Sequence, residues 1–274
     1  MLLPLKDDNP LTRIPYQYVT VTLIGMCIVT FLWQFSLNDT DGRKAVLSFG
    51  AIPSVLFGSR TLPPDLDQIP AALTLLTSMF MHGGWMHLIG NMLFLWVLGD
   101  NVEDAMGHAR FLVFYILCGI TAALSHAGLA PDSTTPMIGA SGAISGVIGA
   151  YLILHPKAQI LTLAFNFFIH IPAFIVLGLW AGLQFFNASM SDAGSGGGVA
   201  WWAHVGGLVA GLILIIPMRD KSVPLFDGIG SSNPEPEPVT VNPGPWGRMT
   251  TEQTRELKRR RHRRSIIPDS GRKG

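Results

Sequence analysis

Charge is what this chain has least of. Of its 274 residues only 14% are Asp, Glu, Lys or Arg, where a soluble domain carries about 25%. Hydrophobic residues make up 49% and the mean hydropathy is +0.38, which excludes both an ordinary cytosolic enzyme and a disordered chain. Cysteine is nearly absent. Cys27 and Cys118 each sit inside an apolar run, so a disulfide-stapled secreted fold is excluded. The small net charge of +1 conceals a division along the chain. Residues 219–274 hold 12 of the 19 Lys and Arg against 7 of the 18 Asp and Glu, while the other 218 residues hold 7 against 11. A charge-poor body followed by a basic tail is the composition of a polytopic membrane protein.

A bilayer core about 30 Å thick takes about 20 apolar residues of helix. Residues 18–37, 84–99, 111–130, 158–191 and 199–218 supply five such runs, the second ended by Asp100. A sixth lies in the charge-free stretch 133–156, where Pro136 and Gly139 place the start of the helix near Ser141. The expectation is an all-α bundle of six membrane helices over residues 18–218. The apolar piece 69–82 is too short to cross and reads as interfacial or re-entrant.

Basic residues orient the bundle. With the N-terminus inside, Lys6, Arg13, Arg110, Lys157, Arg219 and Lys221 fall on the cytoplasmic side, and only Arg43, Lys44 and Arg60 lie outside. Residues 1–17 contain acids and an early proline and resemble neither a transit peptide nor a cleaved signal; they read as a cytoplasmic segment. Residues 219–274 read as a cytoplasmic tail, with 222–247 a Pro/Gly/Ser-rich linker. Its basic cluster from Lys258 to Arg264 suits anionic lipid head groups, or serves as a topology determinant. The expected location is a bacterial inner membrane, both termini cytoplasmic.

Polar side chains within spans are costly and often mark function. His87 and Asn91 in the second span, Ser141 heading the fourth and His204 early in the sixth all fall just below the outer surface in this topology. His87 and Asn91 are four apart and share a helix face. Gly142, Gly146 and Ala150 form one small-residue stripe; Ala203, Gly207 and Gly211 form another. Such stripes let membrane helices approach closely, and packing them together brings Ser141 near His204. A hydroxyl beside an imidazole is a nucleophile–base pair. Oxyanion donors are available from the Ser141 N–H at a helix N-terminus, from Asn91 and from His87. Gly139 and Gly142 permit the tight entry into that helix.

Each signal has a plainer reading. Gly-x-Ser-Gly is weak by itself, the stripes are commonly plain packing, and the His87/Asn91 pair alone reads as interhelical glue. His82, His87 and His204 are enough imidazoles for zinc, but no His-Glu-x-x-His or supporting carboxylate accompanies them. His126 and His170 read as interfacial or internally satisfied residues outside the site. Joint occurrence, in the right order and at a common depth, carries the catalytic reading.

These residues resemble the rhomboid intramembrane serine proteases. The resemblance rests on Thr77 to His82, His87-x-x-x-Asn91, Gly99-x-x-x-Glu103-x-x-x-Gly107, Gly139-Ala140-Ser141-Gly142 and Ala203-His204-Val205-Gly206-Gly207 with Gly211, over residues 45–218. It implies a rhomboid-type six-helix fold and a Ser141–His204 dyad without an acidic third member. It also implies an oxyanion hole of Ser141 N–H, Asn91 and His87, with His82 in the first-loop network. Substrates would be membrane proteins cut near the outer surface, with no metal or cofactor. Some family members carry an aromatic residue four positions after the serine, against which the histidine packs; here it is Ser145, so support for His204 must come from elsewhere. The Trp-Arg pair of many first loops is absent ahead of Thr77. A substrate gate is expected at the fifth span, with its Pro172, and at the loop from Gly194 to Gly198. The competing reading is an inactive rhomboid-like protein that binds client helices. A transporter is disfavoured because spans one, three, four and five contain no Asp, Glu, Lys or Arg.

Overall fold

The computed structural model describes residues 2–164, 167–190 and 200–227. Its elements run β1 (Leu2–Asp7), α1 (Tyr18–Ser36), α2 (Asp39–Phe49), α3 (Pro53–Leu56), α4 (Ala71–Thr77), α5 (Trp85–Met106), α6 (His108–Leu129) and α7 (Ser141–Leu154). They continue with β2 (Gln159–Ala164), β3 (Phe167–Pro172), α8 (Ala173–Met190) and α9 (Trp201–Met218). A single 3-10 turn, Ser78–Phe80, follows α4. Among the described residues α1, α6, α8 and α9 are long and apolar enough to cross a membrane. Helix α5 has the length but carries Asp100, Glu103 and Asp104 in its second half. Helix α7 has 14 residues, about 21 Å of rise, and is buried almost throughout.

The core lies where α7 is enclosed by α5, α6 and α9. Small residues make this possible. A Cβ on Gly207 or Gly211 would come within 2.0 Å of the carbonyl oxygens of Gly142 and Gly146 respectively, so these two helices touch backbone to backbone. On α1 the inner face is Leu23, Cys27 and Phe31, spaced four apart and buried, while Val29 and Phe35 are exposed. That one-sided pattern, with other exposed apolar side chains such as Met86, Leu183 and Ile213, suits a lipid surround.

The charged end of α5 ties the N-terminal region down. Glu103 is fully buried; its carboxylate accepts hydrogen bonds from the Val19 and Thr20 N–H groups at 2.9 and 2.8 Å and from the Thr20 hydroxyl at 2.7 Å. His108 Nδ1 adds a contact at 2.6 Å. Asp104 accepts the N–H groups of Thr12, Arg13 and Ile14. The expected end of the second span at Asp100 is therefore corrected: paired this way, the acids stay in the helix, which continues to Met106.

Two further expectations are corrected. The run 158–191 is not one long span. Its first part is the hairpin β2–β3, and helix begins only at Ala173, after Pro172 closes the second strand. Strand β2 alternates partly and fully buried residues, the period-2 pattern of a strand. It pairs antiparallel with β3 on one side and β1 on the other, with Leu3 opposite Leu163 and Asp7 opposite Ile160. The N-terminal segment thus completes a three-stranded sheet. Asp7 anchors that sheet to the helices, accepting from the Tyr151 hydroxyl at 2.6 Å and from Asn101 Nδ2 at 2.9 Å. Burial pushes the Asp7 carboxyl up to about 6, opposed by the Tyr151 hydrogen bond and reinforced by repulsion from Asp100 and Asp8.

The linker also starts later than expected. Residues 219–227 dock on the body: Arg13 pairs with Asp220 at 2.8 Å, and the N–H groups of Phe226 and Asp227 donate to the carbonyls of Ile153 and Leu154. The remaining tail, including Lys258 to Arg264, lies outside the described residues, as does the loop from Gly194 to Gly198. The piece 69–82 forms α4 and the 3-10 turn, too short to cross.

Candidate active site

Ser141 is the first residue of α7, so its N–H and those of Gly142 and Ala143 are the unpaired donors of a helix start. Two residues earlier Gly139 has φ +124°, a conformation that side-chain-bearing residues rarely adopt. It also lacks room for one, since a Cβ there would lie 2.7 Å from the His87 ring. The Gly139 N–H donates to the Ser78 carbonyl at 2.9 Å, which fastens the entry to α7 against the 3-10 turn.

The glycine contact between α7 and α9 sets the distance that matters. Ser141 Oγ and His204 Nε2 are 2.8 Å apart, and His204 Nδ1 lies 2.7 Å from Gln184 Oε1 on α8. An amide oxygen only accepts, so Nδ1 carries the proton and Nε2 offers its lone pair to the serine hydroxyl. Both His204 and Gln184 are buried. The imidazole is flanked by Trp180 and Trp201, with ring centroids 6.1 and 5.9 Å away. Support for His204 thus comes from α8 and from its own helix. Ser145 instead donates its hydroxyl to the Ser141 carbonyl at 2.6 Å.

His87 and Asn91 face the same space. The Gly83 N–H donates to His87 Nδ1 at 3.3 Å, which leaves the proton of a neutral ring on Nε2, the nitrogen beside Gly139. Asn91 is buried and its Nδ2 has no hydrogen-bond partner among the described residues. Together with Ser141 and His204 they line a cavity of about 1310 Å³ that Trp85, Trp201 and Met190 also border. His82 does not line it. That ring is buried behind His87, edge-on at 5.2 Å, with Nδ1 donating to the Phe80 carbonyl and its backbone N–H donating to Gln34. Among the described residues no three His, Cys, Asp or Glu side chains are grouped to hold a metal.

One expectation at the site is corrected, for His126 does not lie outside it, and one residue, Gln184, went unnoticed in the sequence. His126 lines the cavity from the end of α6, with Nδ1 buried and unpartnered among the described residues. Gln184 sits in an apolar run one turn after Trp180; a lone amide at that spacing from an aromatic was the available signal. His170 lies on exposed β3, away from the cavity.

A family model for the Rhomboid domain matches residues 70–221. The chain belongs to the rhomboid family. Among curated relatives it is 31% identical over 227 residues to rhomboid protease AarA of Providencia stuartii, covering 72% of this chain and 71% of that one. It is 30% identical over 225 residues to the mitochondrial rhomboid protein 1 of Saccharomyces cerevisiae, covering 71% of this chain and 62% of that protein. Rhomboid protease GluP of Bacillus subtilis is 34% identical over 140 residues, half of this chain and 24% of its own length. The chain thus spans less than two thirds of two of these three rhomboid relatives. As a rhomboid with four long apolar helices among the described residues, it is a multi-pass integral membrane protein.

Proposed function

We propose that this chain is an intramembrane serine endopeptidase that hydrolyses peptide bonds in or near the transmembrane segments of membrane proteins. One observation carries the reading: a serine hydroxyl at a helix N-terminus, 2.8 Å from a histidine lone pair, facing a cavity rather than packed core. Ser141 Oγ attacks the scissile carbonyl while His204 Nε2 takes its proton. The resulting oxyanion is held by the Ser141 N–H, the Asn91 amide and His87 Nε2–H, each donor lowering the barrier by about 3 kcal/mol. His204 then protonates the leaving amine, and water hydrolyses the acyl-enzyme by the same proton path reversed. Gly139 and Gly142 give the chain its entry to α7 and its approach to α6, where a Cβ on Gly142 would meet Ala122 at 2.6 Å. His82 supports the His87 ring from behind.

In this reading α5 and α7 cross with α1, α6, α8 and α9, making six spans over residues 18–218 with Ser141 near the outer surface. Residues 1–17 and 219–274 then lie in the cytoplasm of a bacterium, the basic cluster from Lys258 to Arg264 against anionic lipid. Substrate enters laterally past α8. A rhomboid that only binds client helices has no need of a serine hydroxyl hydrogen-bonded to an imidazole, so that alternative is the weaker. The test is cleavage of a single-span substrate in proteoliposomes. Wild type should cut, Ser141→Ala and His204→Ala should not, and equal turnover in all three rejects the proposal.

A further inference from the structure

Behind the catalytic histidine lies a polar side chain that the peptidase reading leaves without a role, supplied by a third helix. Gln184 is buried on α8, and its amide oxygen lies 2.7 Å from His204 Nδ1. We propose that Gln184 is a positioning residue that fixes the tautomer and ring orientation of His204, so that Ser141, His204 and Gln184 form one hydrogen-bonded line in which only Ser141 and His204 exchange a proton; this rests on the peptidase reading above. Burying an amide in an apolar helix is costly unless it is hydrogen-bonded, and this one meets the nitrogen opposite the one that faces Ser141. With Oε1 toward the ring, the proton sits on Nδ1 and Nε2 is free to act as base. Turned over, the amide would present its NH2 group, move the ring proton to Nε2 and leave Ser141 facing a donor. A neutral amide steers the ring without placing a second charge in the apolar site. The Trp180 and Trp201 rings restrict the imidazole from its sides, and Gln184 sets its rotation. Because Gln184 and Trp180 both belong to α8, the base is correctly held only while α8 is packed on α9.

The test uses full-length detergent-solubilised protein carrying Gln184→Leu, Gln184→Asn or Gln184→Glu. Measured are the rate of fluorophosphonate labelling at Ser141, kcat and KM for a transmembrane substrate, the thermal midpoint, and the 15N signals of His204. Labelling and kcat should fall about tenfold or more in Gln184→Leu, the loss of one hydrogen bond to a group that becomes charged. KM should be unchanged, the thermal midpoint should fall only modestly as the buried Nδ1–H loses its acceptor, and the protonated Nδ1 signal should be lost. Gln184→Asn, too short to reach, should behave like the leucine variant, and Gln184→Glu should restore labelling. Wild-type labelling rates in Gln184→Leu overturn the proposal while leaving the peptidase reading intact. Failure of Gln184→Glu to restore a lost rate, or a loss confined to KM or stability, also overturns it. A wild type that neither labels nor cleaves overturns both.

Discussion

Adding one methyl group at Gly207 is expected to disable the site without touching it. The Cβ of Gly207→Ala would sit 2.0 Å from the Gly142 carbonyl oxygen and 3.3 Å from Ser145 Cβ. Carbon–oxygen contacts between packed helices close to about 3.3 Å, so α9 and α7 must separate by roughly 1.3 Å. Gly142 adjoins Ser141 and Gly207 is one turn from His204, so most of that displacement falls on the reacting pair. The 2.8 Å contact between Oγ and Nε2 then opens to roughly 4 Å, beyond hydrogen-bond range. Misplacement by about 1 Å costs on the order of 100-fold in rate, and overpacking costs about 1–3 kcal/mol of stability. The assay is fluorophosphonate labelling of purified protein, with thermal midpoints recorded alongside. A graded series guards against misfolding. Gly149→Ala meets the Leu208 carbonyl at 2.5 Å and should lose less, while Gly178→Ala meets nothing within 4 Å and should label like wild type. A folded Gly207→Ala that labels at the wild-type rate, or a reversed order in the series, refutes the idea that the glycine contact sets the geometry.

Asn91→Ala should lower substrate turnover about 100- to 1000-fold, the loss expected for one oxyanion donor, with folding intact; turnover within a few-fold of wild type removes Asn91 from that role. Glu103→Ala leaves Val19, Thr20 and His108 without their acceptor and should destabilise the protein, in reversible unfolding, by about 1–3 kcal/mol for each buried donor left unpaired. Asp7 should make stability depend on pH. Its carboxyl is raised from 3.8 to about 6 in the fold, so the folded state binds the proton more tightly. The contribution is complete below the unfolded value and is lost as pH rises through about 6. The thermal midpoint should therefore rise between pH 7.5 and 5 in wild type, and Asp7→Asn should flatten that slope.

The helical body was legible because its signals are local. Uninterrupted apolar runs marked α1, α6 and α9, and the two small-residue stripes foretold the contact that brings Ser141 to His204. What escaped depends on partners far apart in the chain. The run 158–172 is as apolar as a span, and it becomes a hairpin because Leu2–Asp7, some 150 residues earlier, lies alongside it as a third strand. Composition likewise marked 222–227 as linker, although Val223 and Leu225 pack against the core and the Phe226 and Asp227 N–H groups bond to the carbonyls of Ile153 and Leu154, contacts that the composition of the segment does not encode. Gln184 was overlooked, and His126 placed outside the site, for a related reason. A single polar residue on an apolar helix declares its role only when the neighbouring helix shows what it faces.

The central claim is that Ser141 is a nucleophile activated by His204. It is tested most directly by treating the full chain with a fluorophosphonate and locating the adduct by peptide mass spectrometry. The adduct should fall on Ser141, and should disappear in both Ser141→Ala and His204→Ala. Labelling at Ser141 that persists undiminished in His204→Ala, or an adduct on any other serine, contradicts the account.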